Sequence, residues 1–472
     1  MGQVWSDRPS AEVLAAARSL LLARLPASDG RGAADGVALR IQCPAARLAA
    51  ALHDEPGFVW LDGAGVGRTL LAIDPVGVLF ARGASTEFQR GDEKVRLPVD
   101  AFGAVEALLA VLPAGMRLFG FLGYELAVLL EELPCFPVTD TAVPDLALGV
   151  YDTWLEGRGE QWRLIGAAAG GRLEILQARI EARLEEAAKV CEDRSTAPPA
   201  RVTSEPDGPG FESAVRRTLQ RIGAGEIFET NLCRRFSAPW SLRDAWTLYG
   251  RLRAASPAEY GAYLRLADAA VLSVSPECFL KLRGRAVESR PIKGTRPRPD
   301  PNQDAAVIAA LQASEKDAAE LAMIVDLVRN DLGRVSVPGS VAVREFAAPM
   351  VLPTVIHTAA SVVAQLRENV GPTELLRATF PPGSITGAPK IQAMKVSAAE
   401  ERCRRGPAMG AIGWIDAGGD MELSVAIRTA VVTADRVDYH AGGGIVADSD
   451  PSDEREETMA KAQAFLQALG VG

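Results

Sequence analysis

Strand-like runs in the second half of the chain follow one another too closely for helices to fit between them. Residues 262–266, 270–274 and 279–283 form three runs rich in apolar residues, with only three or four residues between one run and the next. Connections this short join antiparallel neighbours, because a parallel pair needs a crossover of about a dozen residues or more. The sequence therefore predicts an α+β fold with largely antiparallel sheets and disfavours a Rossmann array.

Hydrophobic periodicity and capping residues predict the other elements. Further strands are predicted at residues 411–415, 424–433 and 437–440. Helices are predicted at residues 211–224, 315–331, 373–378, 390–404 and 453–469. The N-terminal part of the chain combines short apolar runs with helices, and no motif in it points to a particular chemistry.

A segment rich in proline and glycine divides the chain. Residues 194–210 contain four prolines and two glycines but almost no large apolar side chain, which is typical of a linker. We therefore divide the sequence into an N-terminal region, residues 1–200, and a C-terminal region, residues 205–472. The chemical motifs described below lie in the C-terminal region.

Charge, cysteines and histidines exclude several classes of protein. The net charge of -9 argues against nucleic acid as the main partner. No uninterrupted apolar run reaches the ~18 residues that a membrane span needs, and the N-terminus lacks a signal-peptide pattern. The six cysteines are scattered without a C-x-x-C pair, as expected for reduced thiols in a cytoplasmic protein. Because the three histidines are far apart, any metal ion should be hard and bound by oxygen atoms.

Basic residues are concentrated around Lys293. Between residues 281 and 298 the chain has seven basic residues and one acidic residue. Such a segment is either a solvent-exposed strand edge or a pocket for a small anion, and the residues alone leave both readings open. In a pocket, the neighbouring cations are expected to lower the pKa of Lys293 and thereby to increase the fraction of neutral, nucleophilic amine.

Acidic residues share one face of the predicted C-terminal helix. Glu454 and Glu457 are three residues apart and Lys461 is four residues further on. Three glycines at residues 442–444 precede this helix and let backbone N–H groups approach an anion closely. Glu320 on another predicted helix would form a magnesium site if it faced Glu457. Taken alone, this spacing is more typical of surface ion pairs.

Two further side chains are candidates for acid–base chemistry. Glu277 follows a predicted strand and is placed to act as a general acid. His357 stands among apolar residues, where a lone histidine more often belongs to the core than to an active site. Neither residue identifies a reaction without further motifs.

Four strings in the C-terminal region resemble those of the chorismate-binding enzymes. They are PIKGTRPR at residues 291–298, EKDAAELAMIVDLVRNDLGRV at residues 315–335, PGSITGAPK at residues 382–390 and GGGIVAD at residues 442–448. Four strings in the same order make the resemblance specific over residues 210–470, and it extends loosely to residues 120–134. It implies the fold of anthranilate synthase component I, in which largely antiparallel sheets pack as a sandwich with helices outside.

The resemblance also implies a role for each candidate residue. A magnesium ion would be held by three carboxylates, those of Glu320, Glu457 and Glu454. The substrate, chorismate, would be bound by Thr295, Arg428, Gly443, Gly444 and Lys461. Three residues would be catalytic: Lys293, Glu277, which protonates the departing 4-hydroxyl, and His357, near the ring.

Lysine at position 293 separates the subfamilies. Anthranilate synthases typically have alanine there, whereas aminodeoxychorismate synthases have a lysine that attacks ring carbon 2 as the hydroxyl leaves. The resemblance therefore implies component I of an aminodeoxychorismate synthase. Such an enzyme takes ammonia from a partner glutaminase subunit and makes 4-amino-4-deoxychorismate for p-aminobenzoate and folate synthesis. The alternatives are anthranilate synthase component I and a catalytically silent regulatory paralogue.

Two positions depart from the family pattern. Glu229 stands where amine-using members usually have glutamine and water-using members have lysine. The missing lysine argues against isochorismate or salicylate synthesis. The carboxylate is expected to pair with Lys293, and Glu229→Gln to retain most activity. Ala408 stands where many relatives have an aromatic residue that contacts substrate, so substrate affinity or selectivity is expected to differ.

Overall fold

The computed structural model describes nine stretches of the chain: residues 9–25, 34–38, 42–63, 68–134, 143–166, 172–187, 201–298, 300–353 and 355–471. Within them the strands are β1 (Ala34–Ala38), β2 (Val59–Asp62), β3 (Thr69–Ala72), β4 (Gly77–Arg82), β5 (Ser85–Arg90), β6 (Glu93–Leu97), β7 (Arg117–Leu122), β8 (Leu146–Tyr151), β9 (Thr153–Arg158), β10 (Gln161–Gly166), β11 (Thr203–Glu205), β12 (Glu229–Pro239), β13 (Tyr260–Arg265), β14 (Ala270–Ser275), β15 (Cys278–Arg283), β16 (Ala286–Arg290), β17 (Ile292–Pro297), β18 (Ala342–Val351), β19 (Val355–Gln365), β20 (Gly387–Ala388), β21 (Ala411–Asp416), β22 (Met421–Val425), β23 (Thr429–Val432) and β24 (Arg436–Ile445).

The same stretches contain α1 (Ala11–Leu22), α2 (Ala45–Leu52), α3 (Ala101–Val111), α4 (Arg172–Ala187), α5 (Gly208–Gly223), α6 (Ala245–Ala255), α7 (Asp304–Gln312), α8 (Glu315–Gly333), α9 (Pro372–Thr379), α10 (Lys390–Glu400) and α11 (Pro451–Leu469). Short 3-10 helices lie at Tyr124–Leu129, Leu242–Asp244, Pro301–Gln303 and Gly383–Ile385. None of the described helices is both long enough and apolar enough to cross a lipid bilayer.

The strands form two sheets of twelve, and every pair among the described residues is antiparallel. Sheet A has the order β1-β10-β9-β3-β2-β13-β14-β23-β24-β12-β11, with β20 beside β12. Sheet B has the order β17-β19-β16-β15-β22-β21-β7-β8-β4-β5-β6, with β18 beside β19. The predicted antiparallel α+β fold is thereby confirmed.

The two sheets pack against each other through a layer of apolar side chains. Phe119, Phe121 and Trp414 of sheet B belong to one buried cluster with Leu264 and Val271 of sheet A. A second cluster packs α2, α4, α6 and α11 against sheet A, and a third packs α1, α3, α8 and α9 against sheet B. The molecule is therefore a sandwich of two sheets with helices outside, as the resemblance implied.

Each sheet contains strands that precede residue 200 in sequence and strands that follow it. In sheet A, β2 pairs with β13, and in sheet B, β7 pairs with β21. The two sequence regions thus fold against each other, and the boundary between residues 200 and 205 stays a prediction about domains. The end of the predicted linker, residues 201–210, contains β11 and the start of α5. Residues 194–200 lie outside the described part of the chain.

One predicted strand, residues 424–433, is two strands in the structure. β22 ends at Val425 and β23 begins at Thr429. Between them Arg428 has a φ of 50°, in the left-handed region that residues other than glycine rarely adopt. Conformations of this kind persist where the surroundings hold them in place, and they are concentrated at functional sites.

A buried arginine, Arg405, connects the two sequence regions. Its guanidinium donates hydrogen bonds to both carboxylate oxygens of Glu401 and to the carbonyl oxygens of Asn231 and Ile385, at 2.7 to 3.0 Å. It also stacks on the ring of Tyr124, with 4.2 Å from Cζ to the ring centroid. Tyr124 belongs to the 120–134 segment that resembles the family only loosely, so this segment contributes to the support of β12.

We expect Arg405→Ala to lower the free energy of unfolding by about 3–5 kcal/mol, because it leaves the Glu401 carboxylate buried without its partner. Equilibrium denaturation followed by circular dichroism measures the change. Arg402→Ala is the control, since Arg402 is exposed and lies three residues away, and its effect should stay within about 0.5 kcal/mol. Equal stability of the two variants would contradict the supporting role of Arg405.

Candidate active site

The site lies where the end strands of sheet B meet strands β12 and β24 of sheet A. Lys293 and Thr295 are on β17, and the β17–β19 register places Thr295 opposite His357. Helix α8, which carries Glu320, packs against β17. Helix α11, which carries Glu454 and Glu457, packs against β24. Strands and helices that are far apart in sequence thus bring the candidate side chains to one place.

Lys293 forms a buried ion pair with Glu229. Its Nζ donates a hydrogen bond to Glu229 Oε1 at 2.8 Å, and the side chains are only 12% and 2% exposed. Burial favours the neutral amine, but the negative charges of Glu229, Glu320 and Glu277 outweigh it and raise the pKa of Lys293. The pairing expected from the sequence is therefore present.

The expectation that neighbouring cations lower the pKa of Lys293 is wrong. The arginines that follow Lys293 in sequence have other partners. Arg296 pairs with Asp317 and Arg298 pairs with Asp304, each at 2.7 Å. Both arginines are thus neutralised by carboxylates at the N-terminal ends of α8 and α7.

Glycines of β24 bring the backbone against both charged clusters. A Cβ added at Gly444 would lie 2.2 Å from Glu229 Oε1 and 3.2 Å from Lys293 Nζ. A Cβ added at Gly443 would lie 2.9 Å from Glu454 Oε2. Contacts this short require a shift, so a side chain at Gly444 or Gly443 would displace the carboxylate of Glu229 or of Glu454 from its present position.

Arg428, His357 and Thr295 form a hydrogen-bonded chain. Arg428 Nη2 donates to His357 Nε2 at 3.3 Å, and His357 Nδ1 lies 2.8 Å from Thr295 Oγ1. Because arginine can only donate, Nε2 must accept, and the histidine proton must be on Nδ1. Burial, together with the positive charge of Arg428, lowers the pKa of His357 to about 3. His357 is therefore a neutral imidazole that holds the Arg428 guanidinium in place.

Glu277 is a buried carboxyl group in the turn between β14 and β15. The residue is only 3% exposed to solvent. Burial raises the pKa of Glu277 to about 7, although the Ser384 hydroxyl and the Lys293 ammonium partly oppose the shift. Glu277 therefore holds its proton to a higher pH than an exposed carboxyl group does, as a general acid requires.

The three predicted metal ligands lie on α8 and α11. Burial raises the pKa of Glu320, and the charges of Glu229 and Glu457 raise it further. Burial and the charge of Glu457 likewise raise the pKa of Glu454, although Ser449 Oγ donates to it at 2.6 Å. The charge of Glu457 thus destabilises both Glu320 and Glu454 as anions, and a cation between them would relieve the repulsion.

No three acidic, histidine or cysteine side chains in the described stretches form a ready-made metal site. Magnesium is normally bound by one or two carboxylates together with water and substrate oxygens, so an open set of carboxylates suits it. Glu457 also accepts a hydrogen bond from Lys461 at 2.6 Å, and that ammonium outweighs burial and lowers the pKa of Glu457. Lys461 Nζ in turn donates to the carbonyl of Gly442 at 2.8 Å.

Some residues of the quoted strings hold the scaffold together. Lys390, at the end of PGSITGAPK, pairs with the buried Asp331 of α8 and donates to the carbonyls of Thr379 and Pro381 at 2.9 Å. The loop that presents Ser384 to Glu277 is thereby tied to α8. Sequence analysis did not single out Ser384, although it lies inside a string that the resemblance had already identified.

Ala408 is 1% exposed, and nothing in the structure tests its expected effect on the substrate.

Ser256, which sequence analysis also missed, accepts a hydrogen bond from Arg428 Nη1 at 3.3 Å. Thr358 donates a hydrogen bond to the carbonyl oxygen of Lys293. Both residues fix side chains or backbone of the site and carry no recognisable motif of their own.

Comparison with known proteins identifies the family of the chain. Residues 56–467 match the family described as chorismate binding enzyme. Aminodeoxychorismate synthase component 1 of Escherichia coli is 37% identical over 362 residues, which cover 76% of this chain and 78% of that protein. Anthranilate synthase component 1 of Streptomyces coelicolor is 42% identical over 261 residues, which cover 55% of this chain and 51% of that protein.

A solved structure agrees with these sequences. Anthranilate synthase component I from Streptococcus pneumoniae superposes with a TM-score of 0.74 at 28% identity, covering 84% of this chain and 92% of that one. The resemblance inferred from four strings therefore extends to most of the chain and to its fold. The chain belongs to the family of chorismate-binding enzymes.

Proposed function

We propose that this protein is the chorismate-aminating component I of an aminodeoxychorismate synthase, which makes 4-amino-4-deoxychorismate on the route to p-aminobenzoate and folate. The observation that carries the proposal is the buried amine of Lys293, which lies among Glu229, Glu277 and Glu320. The Escherichia coli relative at 37% identity has this name. Its designation as component 1 supports a separate partner subunit, and we propose a glutaminase that supplies ammonia.

The proposed reaction has two stages. The neutral amine of Lys293 attacks ring carbon 2, the ring double bond shifts, and the bond from carbon 4 to its hydroxyl breaks. Glu277 gives its proton to the leaving hydroxyl, which departs as water. Ammonia then attacks carbon 4, the double bond shifts back, and the bond between carbon 2 and Lys293 breaks.

Other side chains hold the substrate. The Arg428 guanidinium, fixed by His357 and Ser256, is a planar donor suited to a carboxylate of chorismate. The Gly443–Gly444 backbone and Lys461 lie beside it on β24 and α11 and would bind carboxylate oxygens. Thr295 is hydrogen-bonded to Nδ1 of His357. These two neutral side chains would line the pocket near the substrate ring.

We propose a magnesium ion between Glu320 of α8 and Glu454 and Glu457 of α11. When bound, the ion would neutralise these carboxylates and a substrate carboxylate and act as a Lewis acid toward the leaving hydroxyl. The raised pKa values of Glu320 and Glu454, to both of which the charge of Glu457 contributes, support this proposal.

Product analysis tests the function. The purified chain is incubated with chorismate, magnesium chloride and an ammonium salt, and the product is identified by mass spectrometry. We expect a product that has gained an amino group in place of a hydroxyl and has kept its enolpyruvyl group, and we expect EDTA to abolish its formation. Fluorescent anthranilate with pyruvate would instead show an anthranilate synthase, which the Streptomyces coelicolor relative favours. Unchanged chorismate would indicate the silent paralogue.

We expect Gly444→Ala to lower turnover at least tenfold without a loss of stability comparable to that of Arg405→Ala. The added methyl group overlaps Glu229 Oε1 and lies close to Lys293 Nζ, so it must displace the carboxylate and is expected to disturb the ion pair. Gly250→Ala is the matched control, because a Cβ at that helical position meets nothing within 4 Å. Equal turnover of both variants would show that the close approach of β24 has no catalytic importance. Steady-state assays with ammonium as the nitrogen source measure the effect.

A further inference from the structure

The carboxylate of Glu229 is only half satisfied. Its Oε1 accepts the hydrogen bond from Lys293, but its Oε2 is buried and has no hydrogen-bond partner among the described residues. A buried carboxylate normally has both oxygens paired, since the charged form is otherwise poorly stabilised. A residue that served only as a counterion to Lys293 would be expected to have its second oxygen hydrogen-bonded.

The proposed amination, on which this inference rests, needs a base at this place. Lys293 is surrounded by carboxylates and is an ammonium ion in the resting site. An ammonium ion has no lone pair, so it must lose a proton before its nitrogen can bond to carbon. A base within hydrogen-bond reach of Nζ has to take that proton.

Among the residues that the structure describes, Glu229 is the one whose side chain hydrogen-bonds to Lys293 Nζ. Glu277 must carry a proton for the leaving hydroxyl and therefore cannot accept one at the same moment. Glu320 interacts with Lys293 through its charge and is assigned to the cation. By its geometry, Glu229 is therefore the residue placed to accept the proton of Lys293.

We propose that Glu229 is the catalytic base that takes a proton from the Lys293 ammonium before attack and returns it when the lysine is released. In the first stage the N–H bond of Lys293 breaks, an O–H bond forms on Glu229, and the freed electron pair makes the bond to ring carbon 2. In the second stage ammonia expels Lys293 as a neutral amine, which takes the proton back from Glu229. The ammonium group formed at carbon 4 gives its extra proton to Glu277, so no further reactant is consumed and both Glu277 and the resting ion pair are restored.

Burial of the pair supports this transfer. Water that reaches an ion pair stabilises the charges, and a substrate seated against Lys293 excludes that water from a pair already 12% and 2% exposed. In a drier site the neutral amine and the neutral carboxylic acid become more favourable relative to two charges. Substrate binding would thus promote the proton transfer that makes the nucleophile.

This inference replaces the expectation from sequence that Glu229→Gln retains most activity. Glutamine keeps the size of the side chain and can accept a hydrogen bond, but it cannot take a proton. We expect the turnover of Glu229→Gln to fall about a hundredfold, within the usual range for loss of a general base. Glu226→Gln is the matched control, because Glu226 is exposed and pairs with Arg221 at 3.3 Å, away from Lys293. Its turnover should equal that of the wild type.

Two further measurements separate a base from a structural partner. Removal of the carboxylate should make Lys293 react at least as fast with an amine-modifying reagent at fixed pH, because its pKa falls, while turnover falls. In Glu229→Ala, added formate should restore turnover at least tenfold by occupying the vacated space as an external base. A merely structural role predicts no rescue by formate.

The results decide between the two proposals. If the wild type forms the amino product and Glu229→Gln turns over within about threefold of it, Glu229 is not the base. Reduced turnover in Glu229→Gln without formate rescue of a folded Glu229→Ala would also overturn the inference. If the wild type forms no amino product under any of these conditions, the proposed function fails first and the inference falls with it.

Discussion

Lys293→Ala is expected to lower the amination of chorismate at least about a thousandfold, the largest effect of any single substitution in this protein. The variant loses the nucleophile, and the methyl side chain cannot form the bond to ring carbon 2. The backbone pairing of β17 with β19 does not involve the amine, but the variant leaves the Glu229 carboxylate buried without its partner, so circular dichroism is used to check that it folds. Turnover with ammonium and chorismate, followed by product mass, measures the loss.

The matched control is Lys281→Ala, because Lys281 belongs to the same basic segment but lies on β15 and has no assigned role. Its turnover should stay within a few-fold of the wild type.

A second measurement addresses the covalent step directly. With chorismate but without ammonia, the wild-type chain should gain the mass of chorismate less water on the peptide that contains Lys293. Unchanged turnover of Lys293→Ala, or an adduct on another residue, would refute covalent catalysis by this amine.

The sequence predicted the architecture well because the relevant information is local. Short connections between strand-like runs require antiparallel pairing, and the helices at 315–331 and 453–469 are found at Glu315–Gly333 and Pro451–Leu469. Capping by Ser314 and Asp450 fixes where both helices begin. The same reasoning failed at residues 426–428, because periodicity cannot reveal a single residue with positive φ.

The environment of Lys293 could not be predicted from its neighbours in sequence. The chain surrounds Lys293 with arginines, but the fold surrounds its amine with carboxylates from β12, α8 and the β14–β15 turn. The pKa of a buried group depends on which charges are near in space, and that depends on tertiary packing. The Arg405 network was missed for the same reason, since Arg405 also donates its backbone N–H to Glu125 Oε1, 280 residues earlier in the chain.

The motifs nevertheless come together in the structure. Lys293, Glu320 and the 442–444 glycines came from three separate strings, and the structure brings those strings together around one ion pair. The predicted roles of Thr295 and His357 were inferred from resemblance, and the structure adds that they hold each other. Resemblance also drew attention to Glu229 and to its pairing with Lys293, but it could not supply a role for this carboxylate, because the residue differs from the family pattern.

Glu277→Gln is expected to lower turnover about a thousandfold, because glutamine cannot give a proton to the departing hydroxyl. Burial raises the pKa of Glu277 from about 4.5 to about 7, so the carboxyl group keeps its proton up to neutral pH and loses it above. If the protonated form is the active one, wild-type turnover should fall as pH rises through about 7. Glu259→Gln, which changes a half-exposed carboxylate paired with Arg290, should leave this dependence unchanged.

The sign of that dependence tests the assignment. A carboxylate that acted as a base would give turnover that rises through the same pH range, because only its ionised form accepts a proton. In Glu277→Gln the remaining activity should lose the decline above neutral pH, since the titrating group is gone. If the variant keeps the decline, another group supplies the proton. Ser384, whose hydroxyl opposes the raised pKa of Glu277, offers a graded test: Ser384→Ala should move the decline to higher pH.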